Sequence, residues 1–503
     1  MTDSENEFDL WQRPSLSLLS QPQLDRIYGA ALEVLARMGG EFHDPKAVAL
    51  LADAGSRVDN DRRVRIPDTL VDQALQSTPR QIVMHGRDGL AKLFLKGRNT
   101  YFGPGSDTPY TLDPISRERR PAVLDDVARA ARVVDALPEL DFSMCFGLAG
   151  DVPQPVSDLH HFAAMVRNTG KPLIVTAWDL AGLRNIHRMM ELVAGDKTTL
   201  AERPFVVVFL MAISPLRFPA ESLQKLMYCA EHGIPCIWTS GCPAAGATAP
   251  IFPAGSLVVA LAEFLAGLVV AQLTRPGAAL IVGSAFGALD MATGARPYAA
   301  PEQDFGHLAQ AEVARFLQLP SWGNGGCSDS NTLDEQATFE AGRKLMLSAL
   351  AGNNLIHDLG YLDNGMTSSL ELLTICNEMV SQIRRFLKGI PVTPETLAVD
   401  TIAAIGPGNH YLTHPQTKAH HRQQIWMPEL FSRKSYDTWQ SEGGSTLRQR
   451  ARDKLLKILE IHQPEPLPPE VLREMDAMLE AADRQRKSEV GMRKSEKGKG
   501  REA

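Results

Sequence analysis

Between residues 99 and 388 the chain reads as eight short apolar runs, each followed by a stretch with helical spacing. That alternation constrains the fold more than any other feature. It is the pattern of an α/β chain folded as a (β/α)8 TIM barrel, in which strands covered on both faces close on themselves and chemistry gathers at their C-terminal ends. The runs are 100–103, 141–146, 172–177, 204–210, 235–240, 279–283, 321–324 and 354–358. They are rich in Val, Ile and Leu rather than alternating, as buried parallel strands should be. Helices are expected at 122–137, 157–168, 180–194, 220–232, 254–274, 304–317, 332–351 and 368–388. Prolines 172, 204, 235 and 320 introduce four of the strands and favour extended backbone before them. The last helix opens with a capping-box pattern, Ser368-Ser-Leu-Glu371.

The flanks divide the rest. Residues 1–98 read as an N-terminal mixed α/β cap, with helices at 21–38, 45–54 and 67–78 and strands at 63–66, 81–85 and 93–96. The barrel is assigned 99–388, with a long excursion at 104–121. Residues 389–483 read as a C-terminal helical extension. The last stretch, 484–503, carries eight Lys or Arg against three Glu. It reads as a disordered basic tail, with a partner-docking arm as the alternative.

Composition excludes several classes. A net charge of −7 argues against a nucleic-acid partner, and 44% hydrophobic with 22% charged residues is ordinary for a soluble globular protein. Six cysteines without a C-x-x-C, in a chain of 503 residues, point to reduced thiols and a cytoplasmic location. The acidic residues 1–10 lack the basic and apolar regions of a leader. The apolar run 256–273 contains Glu263 and Gln272, so it is expected to be a buried helix and not a membrane span.

Familiar chemical signatures are missing: no G-x-x-x-x-G-K-[ST], no H-E-x-x-H, no G-x-S-x-G and no complete G-x-G-x-x-G. His410, His414, His420 and His421 lie beyond the barrel with no carboxylate or cysteine at ligand spacing, so no metal site is assigned. Gly103-Pro-Gly105 is either a tight turn or a place where backbone approaches a ligand. The strand ends carry Tyr101, Trp178, Trp238, Trp322, Asn324 and His357, an aromatic and polar rim expected to be poor in acid/base pairs. His357-Asp358 ends the eighth strand and is the catalytic candidate, against the alternative of a core histidine bonded to backbone. Asp329 and Asp334 read as helix caps or rim residues.

Several stretches together resemble the trimethylamine methyltransferase superfamily, specifically members that lack pyrrolysine and demethylate quaternary amines such as glycine betaine. They are Gly103-Pro-Gly-Ser-Asp107, Asp141-Phe-Ser-Met, Ser214-Pro-Leu, Ser284 through Met291-x-x-Gly294 with Pro301-Glu302, Gly325-Gly-Cys-Ser-Asp-Ser330, and Ile356-His-Asp-Leu-Gly-Tyr-Leu-Asp-Asn-Gly365 with Ser369 and Glu371. The resemblance spans roughly 20–440. It implies a (β/α)8 barrel, a methyl donor in its mouth, and a corrinoid acceptor on a separate protein. Archaeal trimethylamine enzymes carry pyrrolysine; this chain has only the twenty standard residues, which favours a donor that is already activated.

Such a donor suits the rim. A quaternary ammonium loses a methyl by in-line displacement and departs as a neutral amine, so no strong general acid is required. The protein then contributes positioning. Because the cation has no N–H to donate, aromatic faces bind it, at about 0.5–2 kcal/mol per contact. Tyr101, Trp178, Trp238 and Trp322 are the expected cage, with His357, Asn324 and Gly325 completing the substrate site and His357 and Asn324 anchoring a betaine carboxylate. Binding the cation too tightly in the ground state would slow the reaction. Asp158-Leu-His160 begins like the D-x-H-x-x-G corrinoid signature, but Ala163 replaces its glycine, so no tightly bound cofactor is expected. The resemblance implies that the corrinoid protein docks over the mouth, with 104–121 and the C-terminal extension as candidate surfaces, and that the chain forms a homo-oligomer. Two rival classes remain: a non-catalytic betaine-binding barrel, and a barrel lyase or isomerase acting through His357 and Asp358.

Overall fold

The computed structural model describes the backbone of residues 13–499 and side chains as far as 484. The stretch read above for a leader, 1–10, and residues 500–503 of the basic tail lie outside the described residues. The molecule is mixed α/β. Seven of the eight expected runs are strands: Tyr101–Phe102, Leu173–Val175, Val206–Met211, Cys236–Thr239, Leu280–Gly283, Trp322–Asn324 and Leu355–His357. Four of them, from Leu173–Val175 to Leu280–Gly283, form one parallel ladder. Trp322–Asn324, Leu355–His357 and Tyr101–Phe102 form another. A parallel bridge between Val282 and Ser321 links the two. Helices follow each run: Leu124–Ala136, Ser157–Asn168, Leu180–Ala194, Ala220–His232, Pro253–Thr274, Pro301–Phe316, Glu335–Ala351 and Leu370–Leu387.

The run 141–146 forms no ladder. Ser143 bridges Leu173, and Asp141 N donates to Phe102 O at 2.7 Å. The physical reason is local. The Asp141 carboxylate, paired with Arg384 at 2.6 Å, takes the Phe102 N–H that a neighbouring strand would otherwise bond, and Phe146 turns away with φ +65°.

Alternate strand residues serve two cores. Phe142, Met144, Ile174, Val207, Ile237, Ile281, Trp322 and Leu355 make one inner cluster. The intervening residues, such as Val206, Val208, Cys236, Trp238, Leu280 and Val282, pack against the helices. The antiparallel hairpin Ile82–His85 and Ala91–Leu95, assigned above to the cap, sends Ile82, Met84, Leu93 and Leu95 into the inner cluster. It floors the strands at the end where their chains begin.

Two short strands went unread in the cap. Gly40–Phe42 pairs with Arg63–Arg65 and, in parallel, with Arg217–Phe218, so the cap is stitched to the loop after Val206–Met211; Arg57–Asp59 pairs with Arg63–Arg65. The excursion 104–121 is itself ordered: Tyr110–Leu112 and Arg119–Pro121 join Tyr361–Leu362 and Thr367–Ser369 in a four-stranded sheet. Pro253–Thr274 is long and apolar enough to cross a membrane, yet most of it is buried inside the molecule. The extension is held by Glu378 Oε1, which accepts the backbone N–H groups of Glu429, Leu430 and Phe431. The final helix, Pro469–Lys499, runs through most of the stretch expected as a disordered tail, anchored by Arg167–Asp476 and His160–Asp483.

Candidate active site

A cavity of about 200 Å³ opens beyond the C-terminal ends of the parallel strands. Its wall follows the inward-facing alternation one step past the inner core. Met144, Phe209, Met211, Thr239, Gly241, Gly283, Trp322, Asn324 and His357 all stand on the inner face, and Trp322 continues from core to cavity. Phe209 lies 5.8 Å from Trp322 between ring centroids, and His357 stacks on Trp322 at 3.9 Å. Tyr298, from the loop after Leu280–Gly283, adds a third aromatic side chain.

The wall also holds Asp107, Asp358, Arg296, His307 and His357, so the rim is not poor in ionisable groups. His357 Nδ1 donates to Gly323 O at 2.6 Å, because a carbonyl only accepts. Nε2 is then a lone pair 3.3 Å from Asp358 Oδ2, and the two groups compete for one proton. Burial pushes the His357 imidazole down to about 4 and the Asp358 carboxyl up to about 7, so the proton belongs to Asp358. Burial, and then the neighbouring Asp358, raise Asp107 to about 6. Asp358 is held at φ +71°. A Cβ at Gly105 would lie 2.5 Å from its Oδ1 and 2.4 Å from the Tyr361 hydroxyl, so glycine here serves close packing of the loop against Asp358. Tyr361 in turn orients Asp107, accepting its backbone N–H at 2.9 Å. Asn324 lines the cavity with Asp358, and its Oδ1 is buried with no protein partner.

Trp322, Asn324, His357 and Asp358 are thus brought together as expected candidates. The other expected residues are elsewhere. Trp238 is fully buried on the outer face, its Nε1 donating to Glu263 O at 3.1 Å, with Gly267 leaving room for the indole. Tyr101 points inward at the wrong end, and its hydroxyl accepts the N–H of Phe94 in the floor hairpin at 2.9 Å. Trp178 is 55% exposed in a loop outside the cavity wall. Gly325 packs on Ile356 and Leu345, behind the wall. Asp329 bonds the backbone of Tyr298 and Ala299, and Asp334 caps Glu335–Ala351. Sequence reading missed Phe209, Tyr298, Asp107, Arg296 and His307. Among the described residues, no group of three His, Cys, Asp or Glu is placed to hold a metal ion.

An α/β molecule with its cavity at the carboxyl ends of parallel strands, lined by rings and paired acids, belongs among enzymes that bind a small polar ligand. Comparison narrows the class. The family described as trimethylamine methyltransferase (MTTB) matches residues 5–491, and the chain belongs to that family. A trimethylamine methyltransferase MttB of Desulfitobacterium hafniense is 32% identical over 469 residues, 93% of this chain and 94% of the relative. A glycine betaine methyltransferase of the same species is 30% identical over 480 residues, 95% and 98% of the two chains. Among solved structures, the monomethylamine methyltransferase (MtmB) of Methanosarcina barkeri superposes with a TM-score of 0.51 at 13% identity, over 91% of this chain and 90% of that one. This last likeness concerns the fold alone.

Proposed function

We propose that the chain moves a methyl group from a quaternary amine, glycine betaine or a related betaine, to the Co(I) of a corrinoid carried by a separate protein. The observation that carries the reading is the cavity itself, where the rings of Trp322 and Phe209 share one small space with the carboxyl groups of Asp107 and Asp358. An R–N⁺(CH₃)₃ group is apolar on its surface and positive overall, and that pairing of rings with acids matches it. The two parallel ladders, the Val282–Ser321 bridge and the contacts of 141–143 on both sides support an eight-membered closed barrel spanning 99–388, capped by 1–98 and extended by 389–483.

The residues have separable tasks. Trp322, fixed by its stack on His357, offers a face to the cation. Asp107 and Asp358 supply negative charge, but only partly near neutral pH, which limits ground-state stabilisation of a charge that must leave nitrogen in the transition state. His357 stacks on Trp322 and stands 3.3 Å from the Asp358 carboxyl. The departing amine is neutral and needs no proton from any of them. The corrinoid supplies a nucleophilic cobalt; this chain aligns the methyl toward the open mouth. Ile213, Ile251, Phe252, Met291 and Met366 stand exposed in the loops after the strands, Phe252 at 75%, and this apolar rim supports docking of the acceptor protein over the mouth. No tightly bound cofactor of its own is assigned to the chain. The free described cysteines support a cytoplasmic location, and the exposed apolar segment 390–427 supports a homo-oligomer.

The test is incubation with a panel of betaines and a reduced corrinoid protein, with the demethylated amine followed by mass spectrometry. Turnover with one betaine is the expected result; none with any betaine removes the proposal, and binding without turnover would favour a non-catalytic betaine-binding barrel. A lyase or isomerase acting through His357 and Asp358 is favoured by one observation, the acid/base pair at 3.3 Å. It requires turnover without any acceptor protein.

A further inference from the structure

The cavity is polarised. Asp107 and Asp358 follow the strands Tyr101–Phe102 and Leu355–His357, while the donors Arg296 and His307 come from the loop and helix after Leu280–Gly283. Arg296 donates to Gln303 Oε1 at 3.2 Å, but its Nε is buried without a partner. Gln303 Nε2 donates to His307 Nε2 at 2.9 Å, which places the His307 proton on Nδ1. That Nδ1 is also buried without a partner. Two N–H donors on cavity-lining residues are therefore left unsatisfied, a state that buried polar groups rarely keep unless something else completes them. The arrangement is built and not accidental: a Cβ at Gly287 would lie 2.1 Å from Gln303 Oε1 and 2.8 Å from Arg296 Nε. Only glycine at 287 leaves this pair where it is.

The geometry points to Arg296, with His307 beside it, as an anion-binding subsite that selects a zwitterionic donor, one bearing a carboxylate as well as its quaternary ammonium. This deepens the quaternary-amine reading and rests on it. It also moves the carboxylate anchor from His357 and Asn324, which sit against Asp358 and would repel an anion there. A guanidinium and a neutral imidazole N–H are both donors, and a carboxylate supplies only acceptors.

The experiment is calorimetric titration of the full chain at pH 8 with glycine betaine, choline and tetramethylammonium, in wild type, Arg296→Gln and Arg296→Lys. Wild type should prefer betaine over choline by about 10- to 100-fold, the scale of a charge-assisted hydrogen bond. Arg296→Gln should bring betaine down to the choline level and leave tetramethylammonium within about twofold, and Arg296→Lys should restore part of the preference. Equal wild-type affinity for betaine and choline, or a preference that survives Arg296→Gln, overturns the subsite while the quaternary-amine reading stands. If wild type binds none of the three ligands, that reading falls and the subsite with it. Should Arg296→Gln fail to fold, Arg296→Lys decides: a betaine preference equal to that of wild type overturns the subsite, and a reduced one supports it.

Discussion

Asp358 is a carboxyl held at about 7 by burial, and its protonation should be readable in two ways. Its folded-state pKa lies above the unfolded value, so the folded chain binds that proton more tightly, and stability is lost as pH rises from about 4 to 7. Asn fits the same space and can donate to His357 Nε2. Ligand-free Asp358→Asn should therefore melt several degrees above wild type at pH 8, corresponding to about 2–4 kcal/mol, with the gap shrinking toward pH 4. A gap that does not change with pH would show that Asp358 is not the titrating group. A cationic ligand favours the ionised carboxylates, so wild-type affinity for tetramethylammonium should fall about tenfold between pH 8 and pH 6. Trp322→Ala should weaken the same ligand about threefold to thirtyfold. Trp238→Ala should leave its affinity unchanged and cost about 3–5 kcal/mol in denaturant unfolding. Parity separates these two tryptophans, and parity was legible. Ile237 faces inward, so Trp238 cannot, while Phe209 and Met211 share the inward face with Val207. What the sequence does not carry is depth and long-range approach. Tyr101 has the right parity but stands at the floor, and Arg296, Tyr298 and His307 reach the cavity from a loop and helix whose path no local pattern specifies.

The same contrast holds for the elements. Long periodic helices and seven of the eight apolar runs fell within a few residues of expectation, because burial on both faces writes itself into composition. The elements missed were short, polar pairs such as Tyr110–Leu112 with Arg119–Pro121, whose pairing depends on partners far along the chain. Glu263 illustrates how an element can carry such information. In sequence it is a single acid in an apolar run. In the structure it is fully buried and its carboxylate accepts from Ser214 Oγ, Leu216 N and Gly241 N, each at 2.8 Å. Helix Pro253–Thr274 thereby fixes two strand-end loops, and Gly241 lies in the cavity wall. Glu263→Gln would turn one acceptor into a donor facing an N–H or hydroxyl. The expected result is a loss of about 1–3 kcal/mol in stability together with faster amide exchange at 241. Unchanged exchange there would mean the carboxylate does not hold the wall.

At the scale of the whole molecule the unexplained surface is the arm 390–427. Its helices Pro394–Leu397, Val399–Ile405 and Pro415–Gln424 contain no buried residue. Ile390, Val392, Leu397, Val399, Ile402 and Leu412 are all exposed, an apolar density that a lone chain in water does not sustain. The arm leaves after helix Leu370–Leu387, whose last turn places Arg384 on Asp141 at the starting ends of the strands, and returns where Trp426 donates to Ser381 Oγ. It therefore starts from the end opposite the cavity, so a partner that must reach the cavity is poorly placed to cover it. A second copy of the chain is under no such constraint, and a stable interface needs about 1,000 Å² or more of buried surface. The expected solution state is an oligomer by light scattering, and the double variant Val399→Ser with Ile402→Ser should shift it toward monomer while tetramethylammonium binding is retained. A wild type that is monomeric at micromolar concentration, or a variant whose mass does not change, would leave the arm without the role assigned to it.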